Sequence, residues 1–216
     1  MLSQNVNEQS KYCYPGTDVL KNKMDYQDHD QLKSFETVMT AVRIAELQKK
    51  PIVGKFDLKH LQEIHKYIFQ DVYPFAGKLR EENIAKGSFQ FAHASFLKDQ
   101  ATELFKQLKG ENRLSGLKID EFSSRAAHYL AELNVLHPFR EGNGRSQREF
   151  IRCLALSNGY SLHWKNQKAE DVFNATVKSV LDPTDLNKII KNSITNHEPD
   201  LKIAKQFKAQ KQNISR

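Results

Sequence analysis

The residues that invite a chemical reading lie in one short stretch, His137-Pro138-Phe139-Arg140-Glu141-Gly142-Asn143-Gly144-Arg145, with Arg148 one helical turn beyond. It joins an imidazole base, a carboxylate able to hold a metal, two glycines that let backbone approach an anion closely, and two guanidiniums. Pro138 disfavours helical backbone at His137, so a helix running up to it should stop there and leave the imidazole at its end. A second helix, starting at about Gly144 or Arg145, would aim its unpaired N–H groups and positive dipole end into the same loop, which favours phosphate. Arg145 and Arg148, at i and i+3, share a helix face. Taken singly, each piece has an ordinary explanation as a cap, a solvated carboxylate or a tight turn. Packing does not require an acceptor-only carboxylate and two forked cations on one turn, and the combination reads as a nucleoside triphosphate site.

The elements that must position this stretch are helical. Leu32, Phe35, Val38, Met39 and Val42 follow helical spacing, as do Leu58, Leu61, Ile64, Ile68 and Phe69 behind an Asp57 N-cap. Leu97, Ala101, Leu104, Phe105 and Leu108 form a third stripe. The clearest one, Phe122, Ala126, Tyr129, Leu130, Leu133 and Leu136, starts near Asp120 and runs directly into His137. Beyond the motif, Phe150, Ile151, Leu154 and Ala155 continue the helix that opens at the glycines, and Gly159 ends it. Shorter helices are expected over Glu170 to Leu181 and Asp185 to Asn196, divided by Asp182-Pro183. One region reads as strand: between Ile84 and His93, Gly87-Ser88 divides two flanks, and Phe89, Phe91 and His93 alternate with Gln90 and Ala92. A lone hairpin is marginal in water, so it must lean on the helices and can expose an edge. The expected architecture is a mostly α single domain with a small β-hairpin.

Composition narrows the function classes. The chain has 216 residues, enough for one well-buried core. Mean hydropathy of -0.66 and 27% charged residues fit a soluble protein, and no stretch reaches the roughly 18 apolar residues of a membrane span. The N-terminus lacks the pattern of a signal peptide, which makes the cytoplasm the default location. Cys13 and Cys153, far apart and without ligand spacing, argue against disulfides or zinc. The net charge of +7 resembles a nucleic-acid signal, yet five of those charges fall between Leu201 and Arg216, where Lys202, Lys205, Lys208, Lys211 and Arg216 meet no acidic residue. Few aromatics interleave with them, so a helical face or solvated run is expected rather than direct nucleic-acid recognition. His60, His65 and His128 have no ligand spacing and are assigned structural roles, whereas His93 sits at the hairpin's end.

The stretch from His137 to Arg148 matches the Fic family pattern His-x-Phe-x-Asp/Glu-Gly-Asn-Gly-Arg-x-x-Arg at every fixed position. Val72-Tyr73-Pro74-Phe75-Ala76-Gly77-Lys78-Leu79-Arg80 resembles the family segment leading into its flap, and Tyr14-Pro15-Gly16-Thr17-Asp18 resembles the start of the bacterial cell-filamentation branch. The likeness covers roughly residues 12 to 195 and implies a division into an N-terminal extension (1–11), a Fic domain (12–198) and a basic tail (199–216). Within it, the active-site loop and helix span 137–157 and the flap about 84–93.

The resemblance implies a protein adenylyltransferase that moves AMP from ATP to a protein hydroxyl. His137 would be the general base and Glu141 the Mg²⁺ ligand. Gly142, Asn143 and Gly144 would cradle the α- and β-phosphates, and Arg145 and Arg148 would grip the β- and γ-phosphates. Ile84, Ala85, Lys86, Gly87, Ser88, Phe89, Gln90, Phe91, Ala92 and His93 would form the flap that docks the target as an added strand. Doc-type relatives hold ATP reversed and act as kinases through a changed loop; both glycines and Arg148 are kept here, which favours AMP transfer. A catalytically silent nucleotide-binding module is the third alternative. Many family members restrain themselves with a Ser/Thr-x-x-x-Glu helix, and no glutamate of this chain has Ser or Thr four places earlier. The resemblance therefore implies a toxin whose small antitoxin supplies the glutamate, with DNA gyrase and topoisomerase IV subunits as first candidate targets.

Overall fold

The computed structural model describes residues 9–210. An outer helix α1 (His29–Lys49) leads to α2 (Leu58–Phe69), a hairpin of β1 (Ala85–Lys86) and β2 (Phe89–Gln90), and then α3 (Leu97–Gly110) and α4 (Ile119–Leu136). After the motif loop come α5 (Asn143–Ser157), α6 (Ala169–Lys178), α7 (Thr184–Ser193) and α8 (Leu201–Ala209). The mostly helical architecture with one small antiparallel hairpin is as the sequence predicts. No helix among the described residues is long and apolar enough to cross a membrane.

The centre of the fold is α5, enclosed by α2, α4 and α8. Phe150, Ile151 and Leu154 are fully buried, and so are Leu61, Ile64 and Ile68 of α2 and Phe122, Ala126 and Leu133 of α4. Removing such side chains from water supplies roughly 1.5–3 kcal/mol each and fixes how α5 lies against its neighbours. The same helix buries the ion pair Glu149–Arg152. Arg152 also donates to the Leu47 carbonyl at 2.7 Å, tying the far end of α1 to the core. Asp57 caps α2 by accepting from the His60 N–H at 2.9 Å, as its position before the stripe predicts.

The stripe assigned to α1 faces the core in part: Leu32 is buried and Phe35 and Met39 pack against the core, while Val38 and Val42 are 61% and 48% exposed. Polar partners hold the rest of the inward face. Arg43 forks onto Asp71, and Glu36 and Thr40 both reach Arg145 of α5. The basic stretch expected as a helical face or solvated run divides in two. Residues 201–209 form α8, capped by Asp200, with Ala204 and Phe207 buried, while residues 211–216 lie outside the described residues, as do residues 1–8 of the N-terminal extension.

His60 is a core imidazole, 1% exposed, whose Nε2–H donates to the Ile52 carbonyl at 2.9 Å. Burial pushes its pKa down to about 4, against the opposing pull of that carbonyl and of Asp57. The unfolded imidazole takes up its proton near pH 6.5, so this contribution is complete above that pH and is lost as pH falls towards 4. In a His60→Leu variant the acid-side slope of unfolding free energy should shrink by up to about 1.4 kcal/mol per pH unit between pH 6 and 4.5. Denaturant titration across that window measures it, and an unchanged slope would contradict the assignment.

Candidate active site

Helix α4 ends at Leu136, and His137 follows in left-handed backbone (φ 45°, ψ 60°), its N–H closing on the Leu133 carbonyl at 3.0 Å. Pro138 makes continuation of the helix unfavourable, and histidine is among the few side chains that tolerate this conformation. The Nδ1–H donates to the Asn134 carbonyl at 3.2 Å, which leaves Nε2 with its lone pair unprotonated. Phe91 of the hairpin stacks on the imidazole, ring centroids 3.9 Å apart. Burial, with smaller contributions from Arg80 and Lys86, lowers the His137 pKa to about 4 against the raising effect of the Asn134 carbonyl, so the ring is neutral at pH 7.

The loop from His137 to Gly142 is held by buried polar side chains. Asn143 is 2% exposed, and its amide is spent on the loop: Oδ1 accepts from the Phe139 N–H at 2.8 Å and Nδ2 donates to the Phe139 carbonyl at 2.7 Å. The side chain therefore braces the loop with one of its two amide N–H donors. Phe139 is fully buried beneath, stacked on His65. Gly142 has φ +81°, and a Cβ there would lie 2.1 Å from Cζ of Phe69, so both conformation and space demand glycine. Helix α5 starts at Asn143, slightly earlier than the spacing predicts, and its first N–H groups have no carbonyl within the helix to pair with.

The two motif arginines differ. Arg145 donates through Nη2 to Glu36 at 2.6 Å and to Glu141 at 3.4 Å, through Nη1 to Thr40 at 3.3 Å, and lies over the Phe69 ring. Glu36 is itself hydrogen-bonded by Tyr73. Arg148 makes no side-chain hydrogen bond or ion pair among the described residues, and a Cβ on Gly144 would come within 3.2 Å of its Nη1. Burial and the neighbouring Arg145 lower its pKa, marking a cation that gains from an anionic ligand. Glu141 shares Oε1 with the Gly142 N–H at 2.7 Å and with Arg145, while Oε2 accepts nothing among the described residues.

Motif spacing does not point to Arg80, which is 2% exposed. Its guanidinium donates to the carbonyls of His137 (2.8 Å), Glu82 (2.7 Å), Leu136 (3.2 Å) and Ala92, and its backbone N–H to Pro138 (2.9 Å). With no carboxylate partner among the described residues, it is pushed down to about 10 by burial. Arg80 thus joins the hairpin's two ends to the motif. The hairpin pairs Ala85 with Gln90 and Lys86 with Phe89, exposes Lys86, Gly87, Ser88 and Gln90, and buries Ile84 and Ala85. The expected strand alternation stops before His93, because the Ala92 N–H bonds the Val135 carbonyl and His93 caps a short turn by accepting from Ser95.

Fold and site together define a helical protein in which one loop and helix N-terminus bring together an imidazole, the Glu141 carboxylate and a guanidinium, Arg148, that is unpaired among the described residues. The chain belongs to the Fic/DOC family, whose profile matches residues 55–155. It is 38% identical over 159 residues to the "Probable protein adenylyltransferase Fic" of Escherichia coli, covering 74% of this chain and 78% of that one. It is 40% identical over 185 residues to the protein adenylyltransferase VbhT of Bartonella schoenbuchensis, covering 85% of this chain but only 39% of VbhT. Among solved structures, the N-terminal Fic domain of a VirB-translocated Bep effector protein from Bartonella quintana, with bound ADP, superposes with a TM-score of 0.81 at 26% identity, over 89% of this chain and 96% of that one.

Two substitutions test the architecture of the loop. Arg80→Lys, which can reach only part of the carbonyl set, should lower unfolding free energy by about 3 kcal/mol in denaturant titration. Gly142→Ala should lower unfolding free energy by more than about 1 kcal/mol in the same titration, since alanine is strained at φ +81° and its Cβ would meet Phe69.

Proposed function

We propose that this enzyme transfers AMP from ATP to a Tyr, Ser or Thr hydroxyl of another protein. The observation that carries the reading is the division between Arg145, tied to Glu36, and Arg148, left free beside Gly144 at the start of α5. In this reading Arg148 takes the γ-phosphate, and the backbone N–H groups at the start of α5 face the phosphates behind it. His137 Nε2 then accepts the proton of the target hydroxyl as its oxygen attacks the α-phosphorus. The bond to pyrophosphate breaks, and the negative charge leaving with it is met by the same N–H groups and guanidinium.

Glu141 is the residue that would hold Mg²⁺. Its unshared Oε2 fits a cation that takes one or two carboxylates and completes its shell with water and phosphate oxygens. No group of three or more His, Cys, Asp or Glu that could hold a metal alone occurs among the described residues, so the nucleotide must contribute ligands. When bound, that ion draws negative charge from the phosphates. The exposed backbone of Lys86 to Ser88 and Gln90 supports docking of the target as an added strand.

The finer reading is a cytoplasmic toxin with DNA gyrase and topoisomerase IV subunits as first targets. No Ser/Thr-x-x-x-Glu occurs in the sequence, and Arg148 has no acidic partner among the described residues, which together favour an antitoxin glutamate supplied by another chain. Incubation with Mg²⁺, ATP labelled at the α-phosphate and purified gyrase and topoisomerase IV should label protein with the wild-type enzyme and not with His137→Ala. Label arriving only from the γ-phosphate would replace this reading with a kinase. Because burial lowers the His137 pKa to about 4, kcat/KM at pH 5.5 should stay within about two-fold of that at pH 7.5, and an acid limb near 6.5 would contradict the partly buried, stacked imidazole.

A further inference from the structure

His65 lies on α2, well away in sequence from the motif, and is fully buried. Its Nδ1 accepts from the Gly77 N–H at 2.8 Å, and its Nε2 lies 2.9 Å from the Glu141 carbonyl. A backbone N–H can only donate and a carbonyl only accept, so the two bonds fix the tautomer with the proton on Nε2. The ring is clamped between Phe139 (centroids 3.9 Å) and Phe69 (4.8 Å), so it can neither flip nor tilt freely.

Both ends of this bridge are anchored. Gly77 has φ +82°, its carbonyl accepts from Gln62 Nε2 at 2.9 Å, and a Cβ on it would lie 2.8 Å from Cβ of Lys66. At the other end the Glu141 carbonyl belongs to the residue whose carboxylate Oε1 takes the Gly142 N–H. Holding that peptide group fixes where the Glu141 side chain leaves the backbone.

We propose that His65 is a positioning residue for Glu141: its Nε2–H sets the carboxylate that, on the reading above, holds the divalent cation of the nucleotide. The inference rests on that reading of Glu141. It assigns His65 a task beyond filling the core, because the two hydrogen bonds of one imidazole have different consequences. The bond to Gly77 secures the turn after α2, and the bond to Glu141 secures the cation ligand.

Two substitutions separate these bonds. In His65→Asn the shorter amide can still accept from Gly77 but cannot reach Glu141, whereas in His65→Gln the longer amide can still donate to the Glu141 carbonyl. Affinity for Mn²⁺ in the presence of saturating ADP, read by electron paramagnetic resonance, needs no catalysis. His65→Asn should weaken it at least about 10-fold, as loss of an outer-shell partner commonly does, and His65→Gln should stay within about three-fold of wild type. Thermal midpoints of the two variants should fall by similar amounts. Equal Mn²⁺ affinities in the two variants, or losses that simply track stability, would overturn the inference. Glu141→Gln is the control: if it leaves Mn²⁺ affinity intact, the reading of Glu141 itself fails, and if it abolishes binding while His65→Asn does not, only the role of His65 fails. Wild-type protein labelled with nitrogen-15 at histidine supplies a readout independent of variant folding. His65 should give the Nε2–H tautomer, and an Nδ1–H tautomer would contradict the bridge.

Discussion

The site depends on fixing the backbone between α4 and α5, a loop that carries the base and the carboxylate without a ladder of its own. The bond that does most is made by Arg80. A buried guanidinium without a carboxylate partner among the described residues is costly, and it is tolerated because each of its three nitrogens donates to at least one carbonyl. Two of those carbonyls, Leu136 and His137, mark where α4 stops, and two, Glu82 and Ala92, flank the hairpin. The imidazole and the surface above it are thereby held by one side chain. Asn143 closes the loop from inside, and Phe139 and Phe69 support it from below. Each fixing group is buried, so the geometry exists before any ligand arrives.

The second constraint is charge. Two guanidiniums one turn apart repel, and the fold resolves this by giving Arg145 a partner in Glu36 and leaving Arg148 without one. The rotation of α1 follows from it. A helix that could have turned Val38 and Val42 inward turns Glu36, Thr40 and Arg43 towards α5 and Asp71 instead.

This division also explains what sequence reading could reach. The stripes of α2, α3, α4 and α5 are legible because their apolar faces meet other apolar faces, and the motif is legible because its residue types sit in one contiguous run. The α1 stripe is legible only in part: Leu32, Phe35 and Met39 meet the core, while Val38 and Val42 face outward and Glu36, Thr40 and Arg43 at i, i+4 and i+7 form a polar row. Asn143 reads as a phosphate ligand in sequence because an amide between glycines can donate to an anion; only the folded loop reveals that it also holds the Phe139 peptide. Arg80 and His65 are invisible to spacing, since each acts on backbone carbonyls from a distant segment, and carbonyls carry no residue identity. The hairpin is foreseeable, but its early end at Gln90 is set by the Val135 carbonyl at the end of α4.

In the proposed binding mode the loop receives a nucleotide with its terminal phosphate on Arg148 and its α-phosphate facing His137. A crystal structure with Mg²⁺ and a non-hydrolysable ATP analogue should show the γ-phosphate within hydrogen-bond distance of the Arg148 guanidinium, the metal on Glu141, and Arg145 still paired with Glu36. A nucleotide bound in reverse, with its γ-phosphate beside Nε2 of His137, would contradict it.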